Sequence, residues 1–190
     1  LRLLKDSGVT VGLAHKDGVF HIYYEGFEIC SITDEEAYGI TAGDGFKVGV
    51  ASWNNGTKAV FTDFECTFDS DEVQSEIDKH LESPSSAFAK YNDENGSIET
   101  SVDGWRGAFA LLSGSGENFY METTISSDDA ATTAGLTVIG KDGASIQVYI
   151  TYWNIVVNSG FKWEPGASTT VYTIAEGSML FLTDGFKLAL

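Results

Sequence analysis

Positive charge is scarce in this chain of 190 residues: 11 Lys and Arg stand against 28 Asp and Glu, giving a net charge of −17 and a pI near 4.3. A surface of that sign repels phosphate backbones and anionic lipid, so nucleic acid is not an expected partner. Long hydrophobic runs are missing as well. No stretch approaches the ~18 apolar residues of a spanning helix, so membrane insertion is not expected, and the first residues do not read as a secretory leader. Cysteine is reduced to Cys30 and Cys66. So small a number leaves the redox compartment undecided, and two buried free thiols or one disulfide both fit. Catalytic signatures are absent too: there is no Gly-x-Ser-x-Gly, no His-Glu-x-x-His and no glycine-rich phosphate loop, Gly114-Ser115-Gly116 being only a flexible turn. The expectation is a protein that is not an enzyme.

What the sequence does contain is strand chemistry. Aromatic residues make up 13%, there are 21 glycines, and short runs of Val, Ile, Thr, Tyr and Phe recur; branched and aromatic side chains pack well on a pleated surface. The reversals are marked by Asp-Gly at Asp17, Asp44, Asp103, Asp142 and Asp184, and by Asn-Gly at Asn55 and Asn95. Such pairs accept positive φ and favour tight turns. Between them lie Val9 to Ala14, Val19 to Tyr24, Phe46 to Ser52, Ala59 to Phe68, Asn118 to Ser126, Ala134 to Ile139, Ser145 to Val157, Thr169 to Ile174 and Met179 to Leu182. That spacing predicts an all-β fold, a sandwich or barrel.

A two-residue turn at Asp17-Gly18 sets Lys16 opposite Val19, His15 opposite Phe20, Leu13 opposite Ile22 and Val11 opposite Tyr24. The apolar set then lines one face, and Gly12, Ala14, His21, Tyr23 and Glu25 line the other. His15 and His21 fall on opposite faces, which argues against a shared metal ion. The same turn at Asp142-Gly143 sets Ile139 opposite Ile146 and Thr137 opposite Val148. Cys66 shares its parity with Val60, Phe64 and Phe68, a core face. One helix is expected, from about Asp71 to Leu81, because Val73, Ile77 and Leu81 recur at four-residue spacing behind the capping candidates Asp69 and Ser70. Pro84 stops it, within a Ser-Pro-Ser-Ser loop.

The segment Gly104-Trp105-Arg106-Gly107, followed by Asn118 to Thr123 and Ala134 to Val138, resembles the opening strands of the concanavalin A-like lectin/glucanase family, the jelly-roll sandwiches that include laminin G-like domains. Asp17 to Gly26, then Gly45 to Val50 and Phe61 to Glu65, resemble its closing strands. The closing half comes first. The resemblance therefore implies a two-sheet antiparallel jelly roll in circularly permuted order, or a stretch cut across two tandem repeats. Both ends look cut, and joining Gly185 to Leu190 onto Leu1 to Asp6 reads as one strand and turn. The expected organisation is one sandwich over 1–190, built from 1–69 (closing strands), a helical linker 70–86, and 87–190 (opening strands), with docking within a chain or by strand exchange between chains.

The resemblance includes glucanases, whose retaining members need paired carboxyls on either side of the scissile bond. The nearest string, Glu76-Ile77-Asp78-Lys79-His80-Leu81-Glu82, has the wrong final spacing and sits on the expected helix, where alternate residues diverge. Aromatic positions are better candidates, since sugars stack on ring faces and bond to amides. With Ile146, Val148 and Ile150 in the core of a long strand, Gln147, Tyr149, Thr151 and Trp153 face outward. Trp53 with Asn55 in the following loop offers a second group, and Trp163 a third. The candidate carbohydrate site is Gln147, Tyr149, Trp153, Trp53 and Asn55. Ca²⁺ is the one cofactor the carboxylates admit, with Asp128 and Asp129 as candidate ligands and Asp34, Glu35 and Glu36 as a second cluster; a solvated loop is the competing account of each. The sequence thus points to a non-catalytic, carbohydrate-binding or adhesion module, extracellular or at the cell surface, whose partner is a glycan or a surface protein. A structural repeat with self-association is the alternative.

Overall fold

The computed structural model describes residues 8–37, 39–53, 58–69, 73–74, 88–92, 94–101, 108–112, 114–127, 132–151, 154–161 and 167–173. Among them run fourteen strands: β1 (Val9–Lys16), β2 (Val19–Tyr24), β3 (Phe27–Thr33), β4 (Lys47–Trp53), β5 (Lys58–Phe68), β6 (Val73–Gln74), β7 (Phe88–Asn92), β8 (Ser97–Ser101), β9 (Ala108–Leu111), β10 (Phe119–Ser126), β11 (Thr133–Ile139), β12 (Ala144–Thr151), β13 (Asn154–Phe161) and β14 (Ala167–Thr173). They form two antiparallel sheets packed as a sandwich. The larger has eight strands in the order β3-β2-β1-β10-β5-β8-β7, with β6 also on β5, and the smaller has six in the order β14-β13-β12-β11-β4-β9. Early and late strands interleave in both: β1 lies between β2 and β10, and β4 between β9 and β11. One buried cluster fills the interior, with Leu13, Phe20, Phe61, Met121 and Ile125 from the larger sheet against Val48, Val50, Leu136, Ile146 and Val148 from the smaller. Each such side chain contributes about 1.5–3 kcal/mol by leaving water.

The first hairpin pairs as its turn dictates: Lys16 with Val19, His15 with Phe20, Leu13 with Ile22 and Val11 with Tyr24. Asp17 and Gly18 both take positive φ, 51° and 80°, the backbone of a tight turn whose twist matches the strands. The second hairpin differs. Ile139 faces Ser145, Val138 faces Ile146, Thr137 faces Gln147 and Leu136 faces Val148, because the turn holds three residues, Lys141–Gly143, closed by the Gly140 N–H donating to the Ala144 carbonyl at 2.8 Å. The core decides this register. Leu136 and Val138 also stand opposite Val50 and Val48 on β4, and a one-residue slip would turn both of them to solvent.

Two further expectations of pattern are corrected. Ser145 to Val157 is not one strand but two, β12 and β13, reversing between Thr151 and its partner Asn154. In β5 the core face is not a single parity: Ala59 and Phe61 are buried, then Phe64, Cys66 and Phe68, while Val60 is only half-buried. A bulge intervenes where Glu122 pairs with Glu65 but Thr124 with Thr62, and Asp63 there has φ 51°. The extra residue switches the strand's inward side.

The helix expected over 71–81 is also contradicted where it can be seen. Val73 and Gln74 pair with Thr67 and Cys66 as a strand, completing hydrogen bonds along β5 that a local four-residue spacing does not foresee; the rest of that helix lies outside the described residues. No helix among the described residues is long and apolar enough to cross a membrane. Both cysteines are free, Cys66 buried and Cys30 half-buried. Burial pushes the Cys66 thiol up to about 12.

Candidate binding site

Alternation along β12 creates the site. Ile146, Val148 and Ile150 are fully buried, so Gln147, Tyr149 and Thr151 stand half-buried on the outer face of the six-stranded sheet. On β4 the inward Val48 and Val50 likewise leave Gly49, Ala51 and Trp53 on the opposite side of the sheet, where Gly49 and Ala51 are buried between their neighbours and Trp53 is half-buried. The ladders bring these together: Tyr149 pairs with Gly135, Gly135 with Ala51, and Ala51 with Phe109. Small residues therefore lie between two rings, and Trp53 closes the corner. Its ring centroid is 5.5 Å from that of Tyr149, tilted by 50°, and 6.0 Å from that of Phe109, perpendicular to it.

A second row runs Asn158, Gln147, Thr137, Gly49 and Leu111. The Asn158 Nδ2 donates to the Gln147 Oε1 at 3.4 Å. The hydroxyl of Thr137 and the side-chain carbonyl of Asn158 have no hydrogen-bond partner, a cost of about 1–3 kcal/mol for a buried polar group. The glycines are required by space: a Cβ at Gly135 would run into the Val148 carbonyl oxygen, and one at Gly49 into that of Ala110. At the described positions of this face there is no Asp or Glu, and Lys47 at the margin is the single charge among them.

Of the five residues the sequence nominates for sugar contact, Gln147, Tyr149 and Trp53 are gathered here. Trp153 and Asn55 lie outside the described residues, as do Trp163 and the calcium candidates Asp128 and Asp129. In the second acidic cluster, the Asp34 Oδ1 lies 3.0 Å from the His15 Nε2, and the Glu36 Oε2 accepts from the Thr33 N–H at 2.8 Å. Among the described residues no three His, Cys, Asp or Glu converge as a metal site would require. His15 is buried beside Phe20 and Phe46, whereas His21 is on the outer face and pairs with Glu28 at 3.1 Å.

Two residues of this face were not nominated. Phe109 belongs to a strand of only four residues, Ala108–Leu111, too short to show a clear alternation. Asn158 follows the reversal hidden inside Ser145 to Val157: the core positions are even at Ile146, Val148 and Ile150 but odd at Ile155 and Val157, a change that the unbroken apolar run Ile155-Val156-Val157 conceals in the sequence. Among the described residues an open cleft of about 480 Å³ adjoins the margin of this face, where Lys47 and Lys141 meet the glycine turns, and another of about 470 Å³ lies on the larger sheet beside Lys16, Asp69 and Asn118. A scan against protein-family models finds no match to this chain, and a search of curated proteins finds none either.

Proposed function

We propose that the outer face of the six-stranded sheet binds carbohydrate, and that the chain is a non-catalytic binding or adhesion module of an extracellular or cell-surface protein, with a fold of the concanavalin A-like jelly-roll kind. The observation that carries this reading is the Tyr149–Trp53 ring pair beside the Gln147–Asn158 amide pair on one face. Rings offer an apolar plane to the C–H side of a pyranose, and amides both donate to and accept from its hydroxyls. The absence of carboxylates among the face's described positions supports a binding role over a hydrolytic one, because glycoside cleavage needs a carboxyl pair across the bond.

A glycan array followed by calorimetry on the best hit tests the reading. Tyr149→Ala is expected to weaken binding about tenfold with the fold retained. Failure of the whole array, or an affinity indifferent to Tyr149→Ala and Trp53→Ala, counts against it. Turnover of a β-glucan panel would overturn the non-catalytic half.

A further inference from the structure

A separate surface, on the sandwich edge, carries an inference beyond sugar binding. Among the described strands β3 ends the eight-stranded sheet and pairs with β2 alone. Its other side presents backbone N–H and C=O groups with no strand partner among the described residues, a template for an added strand. The exposed large hydrophobic side chains among those residues are Phe27, at 68% exposure, and Tyr172, at 39%. Both lie at this edge: Phe27 opens β3 opposite Tyr24, and the Tyr172 ring on the neighbouring β14 is 5.7 Å from that of Tyr24.

The charge around the edge has one sign. Between Lys16 and Lys47 the chain has no Lys or Arg, while Asp17, Glu25, Glu28, Asp34, Glu35, Glu36 and Asp44 fall in that interval. The acids flank the free strand, with Glu25 and Glu28 at its start and Asp34 to Glu36 at its end. We propose that the outer edge of β3 docks an extended, lysine- or arginine-bearing segment of a partner protein. That segment adds as a further strand, seats an apolar side chain on Phe27 and Tyr172, and pairs its cations with Glu28 and the Asp34–Glu36 turn.

A second copy of the chain is the poorer occupant. A two-fold pair of β3 strands would set this acidic edge against itself, and like charges placed opposite one another oppose pairing.

Isotope-labelled full chain titrated with a short peptide alternating lysine and valine tests the proposal by NMR. Amide shifts are expected to concentrate on Phe27–Thr33, and binding to weaken as salt rises. N-methylating alternate residues of the peptide, which removes ladder donors and leaves its charge, is expected to abolish binding. Phe27→Ser, at an exposed position that leaves the core intact, is expected to lower affinity about fivefold to tenfold. The proposal is overturned if no binding occurs, if the N-methylated peptide binds equally well, if the shifts fall elsewhere, or if β3 of the peptide-free chain is found paired with another copy.

Discussion

The two outer faces of the sandwich are built from the same kind of strand but not from the same chemistry. On the eight-stranded sheet one cross-strand row runs Glu28, Tyr23, Gly12, Glu122 and Glu65. Tyr120 donates its hydroxyl to the Glu122 Oε2 at 2.7 Å, and its ring centroid lies 5.7 Å from that of Tyr23. The corresponding face of the six-stranded sheet has rings and amides but no carboxylate at its described positions. Among the described residues the carboxylates therefore line the outer face of the larger sheet and are missing from that of the smaller one.

The glycines separate the faces most sharply. On the neutral face a Cβ at Gly135 overlaps the Val148 carbonyl oxygen, whereas at Gly12 on the acidic face it only crowds the Tyr23 Cβ at 3.2 Å, the Met121 carbonyl oxygen at 3.4 Å and the Tyr120 hydroxyl at 3.5 Å, contacts relieved by a shift of a few tenths of an ångström. Gly135→Ala is expected to cost about 3 kcal/mol in denaturant unfolding and Gly12→Ala about 1 kcal/mol; equal losses would erase the distinction. Next in size, Thr137→Val keeps the shape of the neutral floor and removes a hydroxyl that has no partner. It is expected to raise the unfolding free energy by about 1 kcal/mol.

Titration sharpens the contrast from the acidic side. Burial first, then the hydrogen bond and charge of Glu122, raise Tyr120 above its ordinary 10.0, and burial followed by Glu28 raises Tyr23. The unfolded chain therefore releases these protons before the folded chain does. The stability they contribute is complete below pH 10 and is lost as pH rises beyond it. Chemical denaturation at about pH 9 and about pH 11 should show this loss, and Tyr120→Phe should reduce it. The smallest effect concerns Glu65 and Glu122, which face each other directly. Glu65→Gln is expected to stabilise by about 0.3 kcal/mol at low salt and by nothing measurable at high salt.

Legibility in the sequence followed the range of the interaction involved. The Asp17-Gly18 hairpin was readable to the residue because its turn fixes φ locally. Likewise Gln147 and Tyr149 were readable as outward, because Ile146, Val148 and Ile150 alternate with them. β3 was missed because its turn is Glu25-Gly26, a pair outside the usual signals, although both residues take positive φ, 49° and 79°. The bulge at Asp63 was invisible for a different reason. It exists to match β5 to β10, and nothing in β5 alone requires it.

By itself the sequence determined that this protein is all-β, acidic and punctuated by tight turns, since alternation, charge and turn chemistry act between near neighbours. Only the tertiary structure decided where β5 switches its inward side, which strands lie beside one another, and that Trp53, Tyr149 and Phe109 meet. Those outcomes depend on register between strands distant in the chain, and register is chosen by the shared core rather than by any one segment.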